Sequence, residues 1–232
     1  MYNNLYSVRF NVNITDFTLP KTPKTLRKKA VSDRKKDLIL AAARLVFERD
    51  GLAKASLRAI AKEAGYTPAA LYFHFDSKQA IYAELLAESL EVLQQTVEHA
   101  THLKLDPQDK YRAAATAYFQ FFLQNPRDLD LGFYLSSGGM SREGVGRHRN
   151  EQLNAQLLAA IQPIETAALT LSGSIEQAKR ALTEYFVYAN GILLLVHTGR
   201  IKLFDLSESE LLDNFISCQL EILIPESKTA YA

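Results

Sequence analysis

One cysteine, Cys218, is the whole thiol content of the chain, which excludes an internal disulfide framework and suits a reducing compartment. Long hydrophobic runs are absent too: none approaches the roughly eighteen residues that a membrane span needs. The N-terminus carries no continuous apolar signal core, so a cytoplasmic protein without a membrane anchor is expected. Catalytic signatures are missing as well. There is no Gly-x-Ser-x-Gly, no phosphate-cradling glycine loop and no His-Glu-x-x-His. His99 and His102 lie three apart but have no evident third ligand, so neither a metal nor a cofactor is expected. No repeat of fixed period and no convincing strand pattern is visible, and seven prolines with a few glycines punctuate otherwise helical stretches.

What is present is apolar periodicity in an amount that fills a core. Of 232 residues, 47% are apolar, enough for one small and one larger domain. The net charge of +1 hides a strong segregation: residues 21–80 hold 14 Lys and Arg against 6 Asp and Glu, whereas residues 81–232 hold 12 against 19. A basic head on an acidic body suits a protein that brings one end to phosphates and keeps the other away.

The most informative stretch runs from Ser56 to Lys78, SLRAIAKEAGYTPAALYFHFDSK. Ser56 is a good helix N-cap, and Leu57, Ile60, Ala61 and Ala64 follow at helical spacing. Gly65 ends that helix because glycine tolerates the left-handed backbone of a sharp exit. Thr67 then caps a second helix with Pro68 at its first position, where a missing N–H costs nothing. A preceding helix, Asp37 to Arg49, is expected to support the pair through Leu38, Ala41, Ala42, Leu45 and Val46. Two helices joined by so short a turn form a helix-turn-helix. Asp76 and Gln79 have capping-box spacing at the start of a long helix through Ile81, Leu85, Leu86, Leu90, Leu93 and Val97, read as the link between domains.

Here the residues IAKEAGYTPAALYFHFDSKQAI resemble the DNA-binding domain of TetR-family transcriptional regulators, whose pattern joins an Ile-Ala pair, Ala-Gly, Ser-x-Gly-x-Leu-Tyr-x-His-Phe and a following Lys. Thr67 replaces the usual Ser and Ala69 the usual Gly; both keep the cap and the small side chain. The resemblance spans about 36–86. It implies an all-α fold, with a three-helix DNA-binding domain over 35–80, a helical effector-binding and dimerisation domain over 81–232, and a flexible basic extension over 1–34. It also implies that Thr67, Pro68, Ala69 and Tyr72 face base edges of duplex DNA with Arg58 nearby, and that His74 and Lys78 contact phosphates. Arg58 alone among them can fork onto a guanine. Phe73 and Phe75 are assigned to packing.

Upstream, residues 1–20 are expected to be a mobile extension, and residues 21–36, with eight basic side chains and two prolines, read either as an arm tracking phosphates or as a solvated linker. Downstream, helices are expected at about 107–124, 127–136, 141–170, 174–202 and 207–223, with Pro163 breaking or kinking the third. The last two are apolar beyond what one thin domain buries, through Tyr185, Phe186, Tyr188, Ile192 to Val196, Leu211, Leu212, Phe215, Ile216, Leu220 and Ile222. By the resemblance they form a four-helix bundle with a symmetry mate, so a homodimer is expected. An effector pocket is expected from Tyr118, Phe122, Phe133, Tyr134, Tyr185, Tyr188 and His197, with Arg149 to receive an anionic group; an ordinary aromatic core and a solvated basic face, the latter also including Arg142, Arg147 and His148, are the other readings. Cys218 is read as packing. The functional expectation is a repressor released by a small, largely apolar effector. A ligand-responsive activator and a helical enzyme with a vestigial helix-turn-helix are the alternatives.

Overall fold

The computed structural model describes residues 23–133 and 145–224. Among them every regular element is helical: α1 (Pro23–Lys54), α2 (Leu57–Glu63), α3 (Pro68–Tyr72), α4 (Lys78–His102), α5 (Pro107–Gln124), α6 (Pro126–Phe133), α7 (Arg147–Ser172), α8 (Ile175–His197), a short 3-10 turn (Arg200–Leu203) and α9 (Glu208–Leu223). The expectations for residues 1–20, Tyr134, Met140 and Arg142 lie outside the described residues, as does the side chain of Phe133.

Two hydrophobic cores organise these helices. The smaller joins Ile39, Leu40, Ala43 and Val46 of α1 to Ile60, Ala61, Leu71 and Phe75. The larger gathers α4, α5, α7, α8 and α9 around fully buried Leu93, Tyr111, Tyr118, Phe119, Ile164 and Tyr185. Helix α4 belongs to both. Its Ala80, Ile81 and Leu85 complete the small core, whereas Tyr82, Leu86, Leu90, Leu93 and Val97 complete the large one. Residues four apart stand on one helical face, so a one-residue offset gives α4 two apolar faces aimed at different partners.

Local chemistry explains the boundaries. Ser56 accepts from Ala59 N–H at 3.2 Å and Thr67 from Ala70 N–H at 3.2 Å, so both expected caps are formed. Gly65 adopts φ 71°, and Tyr66 N–H returns to the Ala61 carbonyl at 2.8 Å while Gly65 N–H meets that of Lys62 at 3.2 Å. These paired bonds satisfy carbonyls that the end of α2 would otherwise strand. At Pro163 helix α7 continues unbroken through its 26 residues.

Five local expectations are corrected. Basic residues before Lys36 are helical from Pro23 onward, because a proline in the first turn gives up an N–H that has no helical partner there. The buried stripe of α1 is Ile39, Leu40, Ala42, Ala43 and Val46, while Leu38 and Leu45 are about half exposed and Ala41 is exposed. Both candidate stripes have helical spacing, and the docking of α2 and α4 selects between them. The α4 cap is Ser77, accepting from Ala80 N–H at 3.1 Å, rather than Asp76, whose carboxylate instead accepts from Ser77 Oγ. Phe73 is 90% exposed, whereas Phe75 is buried as expected, since only one of two residues two apart on the turn can face the core. Cys218 is exposed on α9, in an outward stripe with Leu211, Phe215 and Ile222.

Candidate nucleic-acid interface

Helix α3 is five residues long, too short to persist alone. It is held by Leu71, fully buried under Ile39, Ile60 and Ile81 in the small core. That anchor turns the remaining residues outward: Thr67, Pro68, Ala69, Tyr72 and Phe73 are exposed, with Tyr72 at 57%. The outer face of α3 thus presents a hydroxyl, a phenol and apolar surface, with none of its own charge. Such a face suits van der Waals contact with thymine methyls and hydrogen bonding by Tyr72.

Charge is supplied from neighbouring elements. Arg58, in the first turn of α2, is exposed and has no ion-pair partner among the described residues. Arg34 and Lys35 are exposed on α1, and Lys54 and Lys62 are exposed around the helix ends. His74 is half-buried behind α3. Lys78 has a structural bond as well: its Nζ donates to the Ala55 carbonyl at 3.0 Å, closing the corner between α1 and α2. Phe73 was missed as a surface residue in the sequence because aromatic content alone does not distinguish it from Phe75.

Contacts from the body reach this unit. Lys36 pairs with Glu84, Arg44 with Glu88 at 2.9 Å, and Arg127 of α6 with Glu48 at 2.6 Å. Arg149 of α7 donates to Asp76 at 3.1 Å, in the turn directly after α3. The Ser77 hydroxyl and then Arg149 hold the Asp76 carboxyl below its ordinary range. Arg149, expected as an effector anchor, therefore has a partner next to the recognition helix.

The other expected effector residues fall in three places. Tyr118, Phe122 and Tyr185 form one buried cluster, with Tyr118 edge-on to Phe122 at 5.1 Å and to Tyr185 at 5.9 Å. Tyr118 Oη donates to Asn190 Oδ1 at 3.2 Å, and Tyr185 Oη donates to the Ala115 carbonyl. Burial pushes both phenols above the ordinary tyrosine value, so they remain neutral donors across the physiological range. Tyr188 lies apart, stacked on Phe215 of α9 with ring centres 4.1 Å apart. His197 Nε2 sits 3.2 Å from the Pro126 carbonyl at the start of α6.

Residues 39–85 match the family model described as bacterial regulatory proteins, tetR family. An uncharacterised HTH-type transcriptional regulator of Bacillus subtilis, YdgC, is 30% identical over 172 residues, covering 70% of this chain and 85% of the relative. The HTH-type transcriptional activator FasR of Mycolicibacterium smegmatis is 34% identical over 101 residues; the alignment covers 44% of this chain and 46% of FasR. Among solved structures, a Rhodococcus sp. RHA1 protein of unknown function superposes with a TM-score of 0.65 at 22% identity, over 82% of this chain and 96% of that one. FadR from Bacillus subtilis in complex with stearoyl-CoA gives a TM-score of 0.56 at 16% identity, over 81% and 96% respectively. The exposed recognition face, the two-core architecture and the relationship to YdgC across most of its length together make this chain a member of the tetR family of DNA-binding transcriptional regulators.

Proposed function

We propose that the protein is a homodimeric, cytoplasmic repressor that leaves a palindromic operator when a small, largely apolar effector occupies its body. The observation that carries this reading is the membership of α4 in both cores. A helix packed this way transmits any repacking of the body to α3, because close-packed interiors rearrange between discrete states rather than deform smoothly. In this reading residues 1–34 form a basic arm, 35–80 the DNA reader and 81–232 the effector and dimer body. Arg58, Thr67, Pro68, Ala69 and Tyr72 contact bases, and His74 and Lys78 contact phosphates.

Two further features support the reading. The outward faces of α8 and α9 carry exposed Val187, Leu194 and Ile222 beside half-buried Leu211 and Phe215, a surface that a second copy would cover. The neutral Tyr118–Phe122–Tyr185 cluster is apolar wall with two hydroxyls, chemistry that suits an acyl chain, and the FadR structure holds stearoyl-CoA. An activator is the second reading, favoured by the 34% identity to FasR. We read no catalytic role into the chain.

The test measures operator affinity by fluorescence anisotropy with and without stearoyl-CoA and free stearate. An effector-released repressor loses affinity by roughly 5- to 150-fold, the usual range of allosteric coupling. Unchanged affinity with every acyl ligand contradicts the acyl reading, and tighter binding favours the activator.

A further inference from the structure

Between the DNA-binding unit and the body lies an open groove of about 790 Å³ that shares no residue with the aromatic cluster. Helix α1 gives it Arg44, α4 gives Glu88, Ser89, Glu91, Val92 and Thr96, and α5 with the start of α6 closes the far side through Phe121, Gln124 and Asp128. Two independent observations mark it as built for a ligand. First, Ser89 is only 5% exposed, lines the groove, and its Oγ has no hydrogen-bond partner among the described residues. A buried hydroxyl left without a partner is costly and rare, and a molecule in the groove would supply the missing bond. Second, the groove sets one guanidinium against three carboxylates. Arg44 is already engaged by Glu88 at 2.9 Å and stands 3.9 Å from Asp128, while Glu91 makes no ion pair among the described residues.

We propose that this groove is a binding site for an organic monocation: an ammonium head toward Glu91 and Asp128, a hydrogen bond to Ser89 Oγ, and an apolar body along Val92, Ala117 and Phe121. The unbalanced carboxylates attract a cation and repel an anion of equal size, so charge sets the selectivity. The volume falls within the usual range for small-molecule sites. Glu88 and Arg44 form the ion pair that seats α1 on α4, so an occupant of the groove sits against a contact between the two units. The proposal does not depend on the effector reading above, and its test contains no DNA.

The test is isothermal titration of the full chain with octylammonium, octan-1-ol and octanoate, which share one tail and differ in head-group charge. Saturable binding of octylammonium at one site per chain, at least tenfold tighter than octanoate, is expected. Glu91→Gln with Asp128→Asn should weaken octylammonium at least tenfold, and Ser89→Ala several-fold. Ser89→Ala removes a hydroxyl that has no partner, so its melting temperature should not fall, which separates lost binding from lost folding. The site is refuted by no saturable binding of octylammonium, by octanoate binding as tightly, or by equal binding to wild type and both variants, which would locate the tail elsewhere, as in the aromatic cluster. A crystal structure with a single water on Ser89 Oγ and no octylammonium in the groove would overturn it equally.

Discussion

Arg58, Phe73 and Leu71 lie within sixteen residues of each other, yet their surroundings separate three kinds of consequence. Arg58 is exposed and without an ion-pair partner among the described residues, so Arg58→Ala should leave folding within about 0.5 kcal/mol. If it forks onto a guanine, operator affinity falls by about 1–3 kcal/mol at one base pair, and preference at that position relaxes. His74→Ala should instead weaken all sequences alike and flatten the salt dependence; competition binding against point-varied operators separates the two. Phe73→Ala removes a side chain that is 90% exposed, so a loss of operator affinity without a drop in melting temperature would assign it to the DNA. Leu71→Ala does the opposite. Its side chain is fully buried, and leaving a cavity beneath a five-residue helix should cost about 2–5 kcal/mol in urea unfolding. The sequence makes Leu71 legible through its place in the apolar period. It does not make Phe73 legible, because Phe73 and Phe75 have the same chemistry, and only the turn after α3 decides which one faces in.

At the scale of elements, caps were readable and docking was not. Ser56, Thr67 and Gly65 do what their local chemistry dictates, because a cap is made by residues three or four apart in the chain. The buried face of α1 depends on partners far along the chain, so the choice between two candidate stripes was beyond local reading. The same holds for Ser77 against Asp76: Arg149, 73 positions away, claims the Asp76 carboxylate. A buried polar junction between α5, α8 and α9 was also invisible. There Tyr111 Oη donates to Gln219 Oε1, while Gln219 Nε2 donates to the Ala181 carbonyl at 3.1 Å. Tyr111→Phe strands the Gln219 carbonyl, and a loss of about 1–3 kcal/mol in chemical denaturation is expected. At the start of α9, the Ser207 hydroxyl and backbone N–H hold the Glu210 carboxyl below its ordinary range. A depressed carboxylate stabilises the fold above its unfolded pKa and loses that contribution as acid titrates it through the lower folded value. The stability gap between wild type and Glu210→Gln should therefore shrink on going from neutral pH into the range below the ordinary carboxylate pKa. A gap that is constant with pH would mean the capping box is not holding the charge.

For the whole molecule, the segregation of charge and the sharing of α4 tell the same story. A basic unit reads DNA, an acidic body stays off it, and one helix contributes to the interior of each. The all-helical fold was legible because amphipathic periods and caps recur along the chain. The contact face of the body was legible only as excess apolar content; the structure assigns the excess to the outer stripes of α8 and α9. Val187 is 67% exposed and Ile222 is 73% exposed, so Val187→Glu with Ile222→Glu should leave each protomer folded. Analytical ultracentrifugation should then show wild-type dimers and variant monomers, with operator affinity lost alongside. Dimers that survive both changes would move the interface elsewhere.

Selection of binding sites from a random duplex DNA pool, followed by affinity for the winner across a salt series, tests the central claim most directly. A two-fold symmetric site is predicted, its half-sites about one helical turn apart or a multiple of it, with affinity falling steeply as salt rises. Enrichment of an asymmetric single half-site would contradict the dimer, and no enrichment at all would contradict sequence-specific DNA binding through α3.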